Sequence, residues 1–191
     1  MKEDLHDYLV KAREAVLWKV DGVSGYDVRR PLTPTGTNLL GLVKHLTSVE
    51  VVYFGVAFDR MPAEPPPWVG VEGEHNADKW AAAEESREYV VDTYRQACLH
   101  SDATIGALEL NAPAFVAWWP EEHRRTTLHR VLVHVIAECH RHAGHADVVR
   151  ELVDGEVGEQ RRDDFMPPVD RAWWAEYVNR LECVAKEADQ G

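Results

Sequence analysis

LHRVLVHVIAECHRHAGHADVVRELVDG, residues 128–155, is the stretch whose reading decides the fold. At about 100° per residue, Leu128, Val131, Val135, His142, Ala146, Val149 and Val153 fall on one stripe of a long amphipathic helix. His142 lies near the centre of that stripe and Glu138 on its flank, whereas His140 points about 160° away from His142. An ionisable side chain facing a core is costly unless it is paired or bound to metal. A carboxylate and an imidazole four residues apart project from the same helical face. Their spacing suits a single cation, so the helix predicts a metal site.

Outward from this helix, four further helical segments are expected. The first carries Leu5, Leu9, Ala12, Val16, Val20 and Val23 and ends near Gly22 or Gly25. The turn-rich RRPLTPTGTN then supplies Thr37 or Asn38 as N-cap of a second helix reaching Phe58. Residues 60–80, with four prolines and two glycines, form an irregular crossover. A third helix starts near Ser86 and carries Val90, Tyr94, Ala97, Ser101, Ile105 and Leu108. NAPAFVAWWPEEHRR reads as a loop leading to Thr126 or Thr127 as cap of the fourth helix. A last helix spans about Asp170 to Lys186, after a linker. Period-two alternation never persists, so no strand is expected. The prediction is an all-α fold: a four-helix bundle with a long crossover and an additional C-terminal helix. The domain expectation is a single domain over 1–191, with its core at about 1–155 and a linker and helix over 156–191.

Composition narrows the function. The 191 residues carry 45% apolar and 28% charged side chains, an ordinary globular balance. A formal charge of −12 argues against nucleic acid, whose phosphates need Lys and Arg. No run is expected to approach the 18 or so apolar residues that span a bilayer, and MKEDLHDYL has no signal-peptide core. Cys98, Cys139 and Cys183 form no CxxC pair and fit reduced thiols. A cytoplasmic protein with no membrane or nucleic-acid partner is therefore expected.

A catalytic metal wants three protein ligands and an open position. His45 sits three residues after Leu42 and four before Val49, on the inner face of the second helix, and completes a two-His, one-carboxylate set with Glu138 and His142. The chain has no HExxH, which excludes a zincin. It also lacks the paired Glu-x-x-His of di-iron bundles, since Arg141 follows Glu138 by three. His134 and His145 share Glu138's flank, each either a ligand, an outer partner or an acid/base. The competing reading is a histidine-rich helix with structural or surface imidazoles only.

LTPTGTNLLGLVKHLTSVEVVYFG, followed about 80 residues later by TTLHRVLVHVIAECHRHAGHADVVRELVDG, resembles the DinB/YfiT-like superfamily of metalloenzymes. The similarity extends to about Gly155 and is nearest to an actinobacterial branch that includes the mini-circle proteins. It implies a four-helix bundle holding one divalent metal through His45, Glu138 and His142. Many members carry His-x3-His followed by Arg-Gly-Gln. Here Glu138 stands first, as in the branch resembling mycothiol-dependent maleylpyruvate isomerase, and His145 replaces Gln. Characterised relatives are often S-transferases using mycothiol or bacillithiol. The resemblance therefore implies a metal-dependent S-transferase, with a small-molecule substrate and a low-molecular-weight thiol such as mycothiol as partners, and a homodimer left open. Zn is expected, with Ni or Fe also suited to these ligands. A metal-dependent hydrolase, with His145 or His134 as base, and a non-catalytic metal- or small-molecule-binding bundle are the alternatives.

The remaining residues divide. Cys139 lies about 60° from His142 within the apolar stripe and reads as a small core hydrophobe. Trp118–Trp119–Pro120, Trp68 and Trp80 either wall a substrate pocket or cap the bundle. Arg29, Arg30, Arg124 and Arg125 either recognise a carboxylate or are solvated. Gly144, costing about 1 kcal/mol in mid-helix, is expected to permit close approach of a neighbour or a ligand.

Overall fold

The computed structural model describes residues 1–70, 75–161 and 166–189. Residues 71–74 of the expected crossover, 162–165 of the expected second linker, and 190–191 lie outside them. The chain divides into two units, Met1–Arg161 and Arg162–Gly191. The second unit holds helix α6, Arg171–Asp189, close to the expected span.

The first unit is built on four long helices: α1 (Lys2–Trp18), α2 (Leu39–Glu50), α3 (Arg87–Ala107) and α5 (Leu128–Asp154), with the short α4 (Glu121–Arg124) ahead of α5. Each long helix contributes an apolar stripe to one core. Leu9, Ala12 and Val16 come from α1, and Leu40, Val43 and Leu46 from α2. Val90, Tyr94 and Ile105 come from α3, and Leu128, Val131, Leu132, Val135 and Cys139 from α5. Helix α1 packs along α5, and α2 packs against both α3 and α5. That arrangement brings the inner faces of α2 and α5 together.

Local chemistry sets the helix ends. The Asn38 side chain accepts from Gly41 N at 2.8 Å, and that of Ser86 from Tyr89 N at 3.0 Å, each satisfying an otherwise orphaned donor. Gly155 closes α5 in the left-handed region at φ 81. Helix α1 stops at Trp18, earlier than the expected Gly22 or Gly25; Val20 follows in a turn and Val23 just after it, and both remain buried. Their apolarity reflected core contact rather than helical phase. Helix α2 continues as a wider π turn over Val51–Gly55 and a tight turn over Val56–Phe58, stopping at Asp59 with φ 55.

Two expectations need correction. The loop before α5 contains a small antiparallel pair, β1 (Pro113–Phe115) with β2 (Arg125–Thr127), Ala114 lying opposite Thr126. Three residues are too few to display a period of two, so the fold is mostly helical with a two-stranded ribbon. Leu39–Phe58, 20 residues, is in fact long and apolar enough on average to cross a membrane. It is a core helix instead: 78% of its most apolar stretch is buried against the other helices.

Candidate metal centre

The α2–α5 contact juxtaposes His45, Glu138 and His142. One ligand atom from each lies within 4.8 Å of the other two. The imidazoles of His45 and His142 meet edge to face, with centroids 4.9 Å apart. His142 Nε2 is 3.5 Å from Glu138 Oε2. All three side chains are partly buried.

Each imidazole is oriented from behind. His45 Nδ1 hydrogen-bonds Asp78 Oδ2 at 2.6 Å, leaving Nε2 as its free ring nitrogen. That bond holds the Asp78 carboxyl below its usual pKa despite partial burial. His142 Nδ1 lies 3.4 Å from His145 Nδ1. Burial pushes the His142 pKa down to about 4, and His45 lowers it further while Glu138 opposes. A neutral imidazole keeps a lone pair, which is the form a metal requires.

The cluster opens onto a hollow of about 550 Å³ whose lining includes His45, His142, His145, Lys79 and Trp80. His145 thus faces the hollow. His134 is placed elsewhere, its ring 4.8 Å from Tyr53 and 5.0 Å from Trp119, lining a second hollow with Arg130 and His123. Burial lowers the His134 pKa, Glu138 opposing and Arg130 adding to the shift. His140 is exposed on the far face of α5, as its phase predicts.

Sequence reading missed three participants. Asp78 belongs to the crossover, where nothing marks it among the many acidic residues of the chain. Tyr53 emerges from the π turn, and its hydroxyl accepts from both Trp118 Nε1 (3.1 Å) and Trp119 Nε1 (3.0 Å), tying the tryptophan loop to α2. Gly41 is the third: a Cβ there would lie 2.0 Å from Lys79 O. By contrast, a Cβ at Gly144 would meet nothing within 4 Å, so a closely packed neighbour does not explain that glycine.

The tryptophans and arginines sort by contact. Trp80 lines the first hollow and Trp119 the second, whereas Trp68 is buried beneath the Lys44 ammonium, 4.6 Å from its ring. Arg29 donates to Glu85 O, Arg30 pairs with Asp27, and Arg124 donates to Trp119 O. Neither they nor Arg125 line the hollow beside His45 and His142. Burial raises the Cys139 and Cys98 thiols well above the ordinary range, so both stay protonated.

Comparison with known proteins follows the same lines. No curated protein matches the chain. A crystal structure of a conserved protein from Enterococcus faecalis superposes with a TM-score of 0.59 at 17% identity, covering 81% of this chain and 98% of that one, a likeness of fold. The model of the mycothiol S-transferase family matches residues 4–155, a span that takes in most of α1 and runs through α2, α3 and α5 to Gly155. With that match over most of its length, the chain belongs to the mycothiol S-transferase family, a DinB-like family.

Proposed function

We propose that this protein is a metal-dependent S-transferase that joins a low-molecular-weight thiol, mycothiol or a close analogue, to a small electrophile. The carrying observation is the convergence of His45, Glu138 and His142 beside a hollow, in a chain of the mycothiol S-transferase family. On this reading the four long helices form a DinB-like four-helix bundle, α6 is an appendage to a single domain, and the protein works in the cytoplasm on diffusible substrates.

The donor set fits a divalent cation of the zinc type, with nickel and iron as competitors. Two imidazoles and one carboxylate leave a coordination position open, and a structural zinc would instead favour four ligands with cysteine among them. When bound, such a metal lowers the pKa of a thiol sulfur and holds it as thiolate. The chain's own side chains do the rest. His45 and His142 present ring nitrogens, that of His142 kept neutral by burial, and Glu138 supplies the negative charge. His145, facing the hollow, receives the thiol proton. The new S–C bond forms as the electrophile's leaving group departs with its electron pair. Trp80 offers an apolar wall for the electrophile. Cys139, buried, and Cys98, half-buried, are both protonated and take no part.

Elemental analysis and a thiol screen test this. Purified protein should carry one equivalent of metal, and conjugation of a model electrophile should require both metal and added mycothiol-type thiol. Turnover with metal and water but no thiol would replace this reading with the hydrolase.

A further inference from the structure

We infer that Asp78 is a positioning residue of the metal centre and that Gly41 is the feature of α2 that lets it get there. The inference rests on the triad proposed above and concerns residues outside it.

A histidine ligates well when its second ring nitrogen is held by an acceptor, which fixes the tautomer, orients the ring and raises its basicity. His45 Nδ1 has such a partner in Asp78 Oδ2 at 2.6 Å, with both side chains only about a quarter exposed or less. A carboxylate is the strongest acceptor available for this purpose. With Nδ1 so engaged, Nε2 is the nitrogen of His45 left free to ligate.

Asp78 lies 33 residues from His45 and reaches it from a three-residue turn, Ala77–Lys79. That turn is seated by its last carbonyl. Lys79 O accepts from Asn38 Nδ2 at 3.4 Å and rests over Gly41, where any Cβ would intrude to 2.0 Å. Gly41 and His45 are one helical turn apart on the same face of α2. The missing side chain at 41 therefore lets the Lys79 carbonyl, and with it the turn that carries Asp78, settle against α2 within reach of the ring at 45. Backbone sits against the gap, so a side chain there cannot be accommodated by a rotamer change alone.

The test uses the full-length protein, stripped with chelator and titrated with Zn(II) against a chromophoric competitor, with Co(II) absorption as a second readout. Asp78→Ala is expected to weaken Zn(II) binding about 10- to 100-fold and to alter the Co(II) spectrum, with unchanged helical circular dichroism. Asp78→Asn, which retains an acceptor but loses the charge, should fall between, and Asp78→Glu should restore part of the loss. Gly41→Ala should imitate Asp78→Ala. Zn(II) affinity within threefold of wild type in Asp78→Ala overturns the positioning role while leaving the triad intact. His142→Ala separates the two ideas: if that variant binds Zn(II) as tightly as wild type, the triad itself falls, and the role of Asp78 falls with it.

Discussion

Two clusters of ionisable side chains sit among the same helices and are built on opposite terms. In one, Arg13 on α1 donates to both carboxylate oxygens of Glu50 at 2.7 and 2.8 Å and to Asp102 at 2.7 Å, and His6 reaches Asp102 at 2.8 Å. Arg13 and Glu50 are almost wholly buried, and their charges answer each other in a bidentate pair. In the other cluster, two imidazoles and Glu138 converge from α2 and α5. Among the described residues neither lysine nor arginine pairs with Glu138. Pairing makes the first cluster a cross-brace between α1, α2 and α3. The second is an anionic set of donors facing a hollow, an arrangement that a cation would complete.

Four variants would break or sharpen that contrast. The largest effect on metal binding is expected from Glu138→Gln, which removes the carboxylate charge of the proposed triad. Metal affinity should fall more than a hundredfold, read by competition titration, while the chemical denaturation midpoint of the metal-free protein stays close to wild type. A large loss of stability instead would make Glu138 a structural residue like Glu50.

Glu50→Ala should do the reverse. Breaking a buried pair by removing one partner leaves Arg13 uncompensated and costs on the order of 3–5 kcal/mol. Urea unfolding should show that loss, with metal stoichiometry preserved wherever the variant is folded.

A smaller effect follows from His142. Its folded-state pKa near 4 lies below the ordinary 6.5, so between those values the unfolded chain binds more protons than the folded one. The stability associated with a neutral His142 is thus fully present above pH 6.5 and lost as pH falls towards 4. Thermal melts of chelator-treated protein should decline over that window more steeply for wild type than for His142→Ala. Equal slopes would remove the argument that burial keeps this imidazole neutral.

The smallest change is predicted for Gly144→Ala. Open space surrounds the added methyl, and replacing a mid-helix glycine gains up to about 1 kcal/mol. A stabilised variant with unchanged thiol-dependent turnover would place Gly144 outside the site. Lost turnover at unchanged metal content would show that a substrate passes over that surface.

The convergence of the three candidate ligands was legible because it rests on helical phase. His45, Glu138 and His142 each follow from the positions of Leu42, Val49, Val135 and Ala146 around them, and one helical period suffices to turn all three inward. Asn38, Ser86 and Thr127 mark helix starts for an equally local reason, their place at the edge of an apolar run. The β1–β2 ribbon was not legible, being three residues long on each side. Nor was the true end of α1, because Val20 and Val23 carry the spacing of the helix while lying beyond it.

What the sequence by itself determined is therefore which segments are helical and which side chains those helices turn inward, since both depend on residues within a few positions of one another. Tertiary structure alone decided the rest. It brought Asp78 to His45 across 33 residues, seated Lys79 O on the bare Cα of Gly41, and gave Tyr53 two indole partners from a loop 65 residues away. It also separated His145, at the hollow beside His45 and His142, from His134, which lies against Tyr53 and Trp119. Such contacts depend on how helices pack and where a crossover comes to rest, and neither leaves a periodic trace in the chain.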